Sequence, residues 1–311
     1  MVSRREMLAM GTAALAGAAE KPALPKICIF SKHLQWLNVA DAATLAAEIG
    51  FDGVDLTVRD GGHVQPERTA IELPKAVEAV RKAGLEVPMI TTGIVDAHSP
   101  YAEDILRTAS ALNIRRYRWG GFLLDPRQSI PQQIAGDQAQ VRDLAALNKR
   151  YGVCAMYHTH SGAGVLGASI WDLYLLLKDF DPNAVSVNFD ISHATVEGGL
   201  GGWMNSASLI APMMRGVALK DFYWEKNAKG EWAPRWCAIG QGMVHFSRFF
   251  EFLREQRFSG PIQLHFEYPE LGGADLGKRT IAISRQVFTE IARRDLTKVR
   301  TMMSQVGLRQ A

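Results

Sequence analysis

Short apolar runs of β-type residues alternate with longer stretches of helical period along most of the chain. Such alternation is typical of parallel strands joined by crossover helices. From Lys26 onward the 311-residue sequence contains about eight strand–helix units and no Pro-, Ser- or Gly-rich linker. This pattern predicts a single closed (β/α)8 barrel (a TIM barrel) over residues 20–311.

The predicted strands have bounds that can be compared with a structure. They are Lys26–Phe30, Gly53–Val58, Val87–Thr91, Arg115–Trp119, Val153–His158, Val185–Asp190, Gly216–Asp221 and Ile262–Glu267. Two of the predicted helices are Ser206–Met214 and a last one from about Arg279 to Met303, and Glu225–Trp236 is predicted to form an inserted hairpin. The alternative fold, an open doubly wound sheet, usually places a Gly-rich turn after its first strand. Residues 31–36 contain no glycine, which favours the barrel.

The first 19 residues have the layout of an export signal. Arg4 and Arg5 precede a weakly apolar run from Met7 to Leu15 and the small residues of 16–19. The paired arginines resemble a twin-arginine signal, although Met7 stands where that motif prefers phenylalanine. We therefore expect export, to the periplasm. No later run approaches about 18 continuous apolar residues, so we expect no membrane span.

The charge balance points to a small partner. Lysine and arginine total 35 against 32 aspartate and glutamate, a formal net charge of +3. This value is too small to indicate a nucleic-acid groove or a polybasic membrane patch. Three cysteines are too few for a disulfide framework. A homo-oligomer is compatible with the sequence, although no stretch indicates an interface.

Histidines collect near the carboxyl ends of the predicted strands, where barrels of this kind build their sites. They are His33, His63, His98, His158, His160, His193 and His265. Side chains two residues apart on a strand share a face. The pairs that do so are His158 with His160, Asn188 with Asp190, Ala218 with Lys220, and His265 with Glu267.

If these faces point inward, imidazoles and carboxylates converge on one point. Isolated buried charge is costly, so such a cluster needs a compensating charge. A divalent cation is the simplest one, and mixed histidine and carboxylate ligands suit manganese, zinc, iron or cobalt better than calcium. The alternative is a metal-free network of ion pairs around Lys220, Asp190 and Glu267.

Four segments together resemble the xylose-isomerase-like barrels, which include sugar phosphate isomerases and epimerases, inosose dehydratases and endonuclease-IV-type enzymes. The segments are Phe189–Ala194 with its Asp-x-x-His pattern, Leu219–Asp221, Gly240–Val244 and His265–Tyr268. The resemblance runs from about Lys26 to Ile291. It implies a metal-dependent isomerase or epimerase that abstracts a proton next to a sugar carbonyl.

The resemblance also implies metal ligands on the fifth to eighth strands. Asp190 and Glu267 match the family's aspartate and second glutamate, and His158 stands where the family has its first glutamate. Ala218 falls where the family has a histidine, and it cannot bind a metal. We expect His265 to fill that gap, so the predicted ligands are His158, Asp190, Glu267 and His265.

Proton transfer is assigned to Glu267, Lys220 and His193. Lys220 is a candidate to replace the missing carboxylate, and His193 can act as an acid or anchor the substrate. The predicted substrate-binding residues are Lys32, Trp36, His63, Arg118 and His160, with Arg59 a further candidate. No Walker-type loop or phosphate cradle is visible, which favours an unphosphorylated carbohydrate.

Three other functions stay open. Losing the carboxylate on the fifth strand makes symmetric 3-epimerisation less favoured, and a base beside an acid also supports β-elimination, so a keto-sugar or inosose-type lyase or dehydratase is one alternative. A non-catalytic sugar-binding barrel is another, because Ala218 is what the loss of a site would look like. A phosphodiesterase fits poorly because further ligands are missing and the charge is near neutral.

Overall fold

Eight parallel strands pair side by side in chain order and close into a barrel, and residues 24–309 are described in this computed structural model. The predicted export signal at residues 1–19 lies outside the described residues. The barrel strands are β1 (Ile27–Phe30), β2 (Gly53–Val58), β3 (Ile90–Thr92), β4 (Arg116–Trp119), β5 (Cys154–His158), β6 (Val185–Asp190), β7 (Met214–Leu219) and β10 (Ile262–Leu264). The predicted (β/α)8 barrel is confirmed.

Helices follow the strands along the chain. They are α1 (Val39–Ile49), α2 (Thr69–Lys82), α3 (Ala102–Ala111), α4 (Ile130–Tyr151), α5 (Ile170–Leu177), α6 (Ile191–Ile210), α7 (Phe246–Glu255) and α8 (Arg285–Gln305). Asn38 caps α1 by accepting a hydrogen bond from Asp41 N, and Ser284 caps α8 through Val287 N. None of the helices among residues 24–309 is long and apolar enough to cross a membrane.

The interior of the barrel carries polar side chains as well as apolar ones. Along β6, Ser186, Asn188 and Asp190 alternate with the apolar residues at 185, 187 and 189, and all six are buried. Asn188 donates to Gln263 Oε1 at 3.2 Å, although β7 separates their strands, so this hydrogen bond crosses the interior. The alternation therefore directs the polar residues of β6 into the barrel.

An antiparallel hairpin stands outside the barrel, directly after β7. Its strands are β8 (Asp221–Lys226) and β9 (Trp232–Cys237), which confirms the predicted hairpin. Asn227 Oδ1 accepts hydrogen bonds from the backbone N–H groups of Lys229 and Glu231, and Gly230 takes the positive φ of 80° that the turn needs.

Several predicted boundaries were wrong. Among the strands, β3 begins at Ile90 rather than Val87, and β7 spans Met214–Leu219 rather than Gly216–Asp221. The helix expected at Ser206–Met214 is the second segment of α6, which begins at Ile191, is interrupted at Gly199 by a φ of 58° and a ψ of −148°, and ends before Met214, the first residue of β7. The last helix begins at Arg285 rather than Arg279, where Ser284 caps it. The eighth barrel strand ends at Leu264, so the segment that carries Glu267 leaves the sheet before it reaches the barrel mouth.

Candidate active site

Asp190 ends β6 and begins α6, and this double role orients its carboxylate. Oδ1 accepts hydrogen bonds from the backbone N–H groups of Ser192 at 2.9 Å and His193 at 3.0 Å, the pattern of a helix N-cap. Oδ2 is left facing the interior, where it is fully buried and accepts no hydrogen bond. Burial raises the pKa of Asp190 above its ordinary value, opposed by the nearby Lys220 ammonium and the helix N–H groups.

Three side chains from different elements converge on Asp190 Oδ2. His158 Nε2 of β5 lies 3.8 Å away, His193 Nε2 of α6 lies 4.0 Å away, and the Lys220 ammonium that follows β7 lies 3.4 Å away. The convergence that strand parity predicted is therefore present at the carboxyl ends of the strands.

His193 and His158 are both held in fixed orientations. Ser161 Oγ lies 2.7 Å from His193 Nδ1, and the ring of His160 stacks on His193 with centroids 3.8 Å apart. Asn188 Nδ2 lies 3.2 Å from His158 Nδ1. Burial, with nearby positive charge, lowers the pKa of both imidazoles well below the ordinary range. Both rings are therefore neutral at pH 7. His193 offers an Nε2 lone pair when its Nδ1–H donates to Ser161 Oγ, and His158 does so when the Asn188 amide is turned so that Oδ1, which has no partner, faces Nδ1.

Lys220 also contacts the second carboxylate of the site. Its ammonium lies 2.8 Å from Glu267 Oε2 and 4.6 Å from the ring centre of Trp236. Lys32 Nζ approaches Glu267 Oε1 at 3.5 Å from the loop after β1. Burial alone would raise the pKa of Glu267, but Lys220, His265 and Lys32 together hold it well below its ordinary value. Glu267 is thus an ionised carboxylate between two lysines.

His158, Asp190 and His193 fit a divalent cation. One donor atom from each lies within 4.8 Å of the others, and all three residues are buried. Asp190 Oδ2 and His193 Nε2 have no hydrogen-bond partner, which is the state expected of atoms free to bind an ion. Two imidazoles and one carboxylate match the ligand preferences of zinc, manganese, iron and cobalt.

The other two predicted ligands, Glu267 and His265, lie beside this group and make other contacts. Glu267 is engaged by the lysines, and His265 places Nε2 3.2 Å from Gln263 Oε1, with Nδ1 4.0 Å from Glu267 Oε1. Ala218 is buried and paired with Asp190 in register on the neighbouring strand. Among the described residues, His193 and not His265 completes the group of buried donors with His158 and Asp190.

The predicted substrate-binding residues divide into two sets. The first set lies at the barrel mouth: Lys32 contacts Glu267, and Arg118 and His160 line a cavity of about 360 Å³. Trp36 instead packs its ring against Phe288 of α8 and donates its indole N–H to His33 O.

His63 also makes local contacts. Its backbone N–H donates to Thr57 Oγ1, and its ring lies against the same hydroxyl. Within residues 24–309, no contact joins Trp36 or His63 to the Asp190 cluster. His33, also at this rim, is held between Ala274 O and the backbone N–H of Phe266.

Ser161 is a site residue that the sequence did not reveal. It orients His193, and the only signal in the sequence is its place directly after His160. Asp221, beside Lys220, is a second such residue. Its carboxylate accepts hydrogen bonds from the backbone N–H groups of Gly240, Gly242 and Val244, which fixes the Gly-Gln-Gly segment against the hairpin.

A family model described as the xylose isomerase-like TIM barrel matches residues 43–287, most of the chain. The chain belongs to this family. No curated protein matches it. In this xylose isomerase-like barrel, Lys220 lies between Asp190, which ends β6, and Glu267, which follows β10.

Solved structures agree with the fold of this xylose isomerase-like barrel. A 3-keto-D-glucoside 4-epimerase from E. coli is 15% identical, with a TM-score of 0.63 and coverage of 89% of this chain and 99% of the other. A probable 3-DHS dehydratase from Bacillus anthracis is 13% identical, with a TM-score of 0.63 and coverage of 88% and 99%. A xylose isomerase-like TIM barrel protein from Mycobacterium smegmatis, in complex with magnesium, is 15% identical, with a TM-score of 0.61 and coverage of 89% and 97%.

Proposed function

We propose that the protein is a sugar isomerase or epimerase that moves a proton on the carbon next to a carbonyl group. The observation that carries this proposal is the contact between an ionised carboxylate, Glu267, and a buried ammonium, Lys220, beside the three donors His158, Asp190 and His193. A base and an acid within hydrogen-bond reach of each other are what proton abstraction and return need. Epimerases among the structurally similar proteins support the same class of reaction.

Glu267 is the base in this mechanism, and Lys220 stabilises negative charge. The lysines keep Glu267 ionised but also reduce its basicity, since they hold its pKa low. As charge develops on the substrate oxygen, the Lys220 ammonium shifts its hydrogen bond from Glu267 to that oxygen. Glu267 then regains basicity at the moment it takes the proton. His193 takes no part in proton transfer in this scheme, because its Nδ1 contacts Ser161 Oγ and only Nε2 is left, which we assign to the cofactor proposed next.

We further propose a divalent cation as cofactor, held by His158, Asp190 and His193. The chemistry that such an ion supplies when bound is polarisation of the substrate's carbonyl oxygen. Zinc, manganese, cobalt and iron all suit this ligand set. Asp190 supplies Oδ2 for it, because the N-cap hydrogen bonds of α6 occupy Oδ1.

Elimination of water from a keto-sugar or an inosose is the second candidate. It is favoured by the same contact, because the Lys220 ammonium can protonate a leaving hydroxyl close to the carbon that Glu267 deprotonates. A dehydratase is among the proteins of similar structure. A sugar-binding barrel without catalysis is the remaining alternative.

Solvent exchange separates these functions. The enzyme is incubated with keto-sugars in D2O, and deuterium in the recovered sugar and in any product is measured by mass spectrometry. Isomerisation or epimerisation predicts deuterium beside the carbonyl with the mass otherwise conserved, and elimination predicts a product lighter by one water. Exchange is expected to disappear in Glu267→Gln and to persist in Glu270→Gln, whose exposed carboxylate is three residues away. A wild-type protein that binds sugars without exchange or elimination would leave only the binding function.

We also propose that residues 1–19 direct export through the twin-arginine route to the periplasm. The paired Arg4 and Arg5 carry this proposal. Replacing both by lysine in the full chain is expected to retain the protein in the cytoplasm, measured by cell fractionation. Unchanged export of that variant would exclude the twin-arginine route.

A further inference from the structure

Two arginines at the barrel mouth have no counter-ion. Arg59 follows β2 and Arg118 lies in β4, and their guanidinium carbons lie 5.5 Å and 5.7 Å from the ring centre of Phe30. Both side chains are partly buried. Within residues 24–309 neither guanidinium makes a hydrogen bond or an ion pair. Holding two such charges away from water without a partner is costly, so the arrangement needs an explanation other than stability.

The neighbouring carboxyl groups neutralise these arginines only in part. Asp55 is fully buried on β2, and its Oδ2 accepts the hydroxyl hydrogen of Thr91 at 2.8 Å. Burial raises the pKa of Asp55 to about 7, so a large share of it is protonated at neutral pH. Asp190 and Glu267 are both engaged by Lys220. The arginine side of the mouth therefore carries an uncompensated positive charge.

Both arginines line the same cavity, and that cavity adjoins the candidate active site. It has a volume of about 360 Å³ and includes His158, whose Nε2 lies 3.8 Å from Asp190. This volume falls in the range of small-molecule sites. Phe122 and Leu123 form an apolar part of its wall, and Leu123 is 79% exposed. A ligand seated there would meet guanidinium groups on one side and apolar side chains on another.

We propose that Arg59 and Arg118 form a subsite for a carboxylate or phosphate group on the substrate, which makes the substrate an acidic sugar. The planar fork of guanidinium N–H groups matches both groups in a bidentate manner. An anion between the arginines also relieves the repulsion between their charges. This inference rests on the proposed function, since it assigns the substrate class of the same site. Since the sequence contains no Gly-rich phosphate loop, a carboxylate on the substrate is the favoured anion. Binding of uronates and of a sugar phosphate distinguishes the two anions.

Binding is measured by calorimetry at low salt, with no requirement for turnover. The probes are D-glucuronate and D-galacturonate, D-glucose 6-phosphate, and the neutral parents D-glucose and D-galactose. At least one acidic probe is expected to bind more tightly than its parent by on the order of tenfold, because a hydrogen bond to a charged group contributes more than a neutral one. A preference for uronates identifies a carboxylate subsite, and a preference for the sugar phosphate identifies a phosphate subsite.

Three variants decide whether the arginines cause that preference. Arg118→Gln and Arg59→Gln are each expected to remove it. Arg116→Gln is the matched control, because Arg116 shares the strand and the face of Arg118 but lines a cavity at the opposite end of the barrel. Thermal melting of each variant verifies that it is folded, and Arg59, which lies outside the strands, provides the test if Arg118→Gln does not fold.

Two results would overturn the inference. One is that no acidic probe binds more tightly than its parent, including the case in which none binds. The other is that the preference survives in both arginine variants. These outcomes are distinct from failure of the proposed function: an acidic sugar that binds but exchanges no deuterium leaves the subsite in place without catalysis, and exchange on neutral keto-sugars with no acidic preference leaves catalysis without the subsite.

Discussion

The ammonium of Lys220 lies 2.8 Å from Glu267 Oε2. It also lies 3.4 Å from Asp190 Oδ2, so one buried positive charge joins the two carboxylates that the family resemblance assigns to a metal. His158 of β5 and His193 of α6 approach the same Oδ2. Asp190 is therefore shared between Lys220 and the proposed cation, while Glu267 contacts Lys220 and Lys32.

Removal of the Lys220 charge should impair both catalysis and stability. Lys220→Met leaves two carboxylates without their common partner, and breaking a buried pair costs about 3 kcal/mol. We expect deuterium exchange to fall by on the order of 100-fold, the size typical of losing an acid–base group. Exchange is measured well below the melting temperature, which is recorded by circular dichroism for every variant.

Two further lysine variants separate the effect of losing the charge of Lys220 from the effect of losing its role in catalysis. Lys220→Arg keeps the charge, so it should retain most of the stability while exchange still falls. Lys226→Met removes an exposed lysine at the far end of the hairpin and should alter neither. Exchange at the wild-type rate in folded Lys220→Met would remove Lys220 from the mechanism.

The metal content should depend on the three buried donors, His158, Asp190 and His193, and not on Glu267. Elemental mass spectrometry of protein purified without chelator should find about one divalent ion per chain, as expected for a single site of three protein ligands. His158→Gln, Asp190→Asn and His193→Gln are each expected to lose it. Glu267→Gln should retain the ion while losing deuterium exchange, because its carboxylate is engaged by lysines.

The opposite pattern would correct the ligand set. Loss of the ion in Glu267→Gln and His265→Ala, with retention in His193→Gln, would support the ligands that the sequence suggested. A wild-type protein that binds none of manganese, cobalt, iron or zinc after reconstitution would end the proposal of a metal cofactor and leave the lysine–carboxylate pair as the centre of the chemistry.

The sequence predicted most of the barrel because its strands alternate cleanly. The bounds of β2 and β6 equal those predicted, since apolar residues alternate with polar ones along each of them, as expected of a strand. The start of α6 was missed because glycines at 198, 199, 201 and 202 disfavour a helix, and α6 is in fact interrupted at Gly199. Capping by Asp190 begins a separate helical segment before that interruption.

The same missed helix start explains the part of the site that could not be predicted. Strand parity correctly predicted that His158, Asp190 and Lys220 lie close together. The direction of His193 depends on α6 beginning at Ile191, which turns its ring back towards Asp190. His265 turns towards Gln263 through a side-chain hydrogen bond, which strand parity does not specify.

Asp55 should make the stability of the protein depend on pH. Burial raises its pKa from the ordinary 3.8 to about 7, with Thr91, Arg118 and Arg59 only partly opposing that shift. Between these values the unfolded chain is ionised at this position and the folded chain is not. The stabilisation that this group provides is thus complete below about pH 4 and is lost as pH rises through about 7, by an amount on the order of 2–4 kcal/mol.

The measurement compares urea unfolding of wild type and Asp55→Asn from pH 4 to 8. The asparagine cannot ionise, so the difference in unfolding free energy should move in favour of the variant as pH rises and then become constant. Asp60→Asn, an exposed carboxyl in the loop after β2, should show no such trend. A pH-independent difference for Asp55→Asn would mean that Asp55 has an ordinary pKa in the folded protein.

Gly242 should tolerate no side chain, because it lies where Asp221 holds the Gly-Gln-Gly segment. A Cβ at Gly242 would overlap both Asp221 Oδ1 and Phe222 O. Gly242→Ala must displace the carboxylate that accepts four backbone hydrogen bonds beside Lys220, so we expect a loss of about 1–3 kcal/mol, the usual cost of overpacking. Gly136→Ala is the matched control: it is exposed within α4 with open space around it, and alanine there should stabilise the helix by about 0.5–1 kcal/mol. Thermal and urea unfolding of both variants measure the two effects, and a Gly242→Ala protein as stable as wild type would show that the segment adapts without the Asp221 contacts.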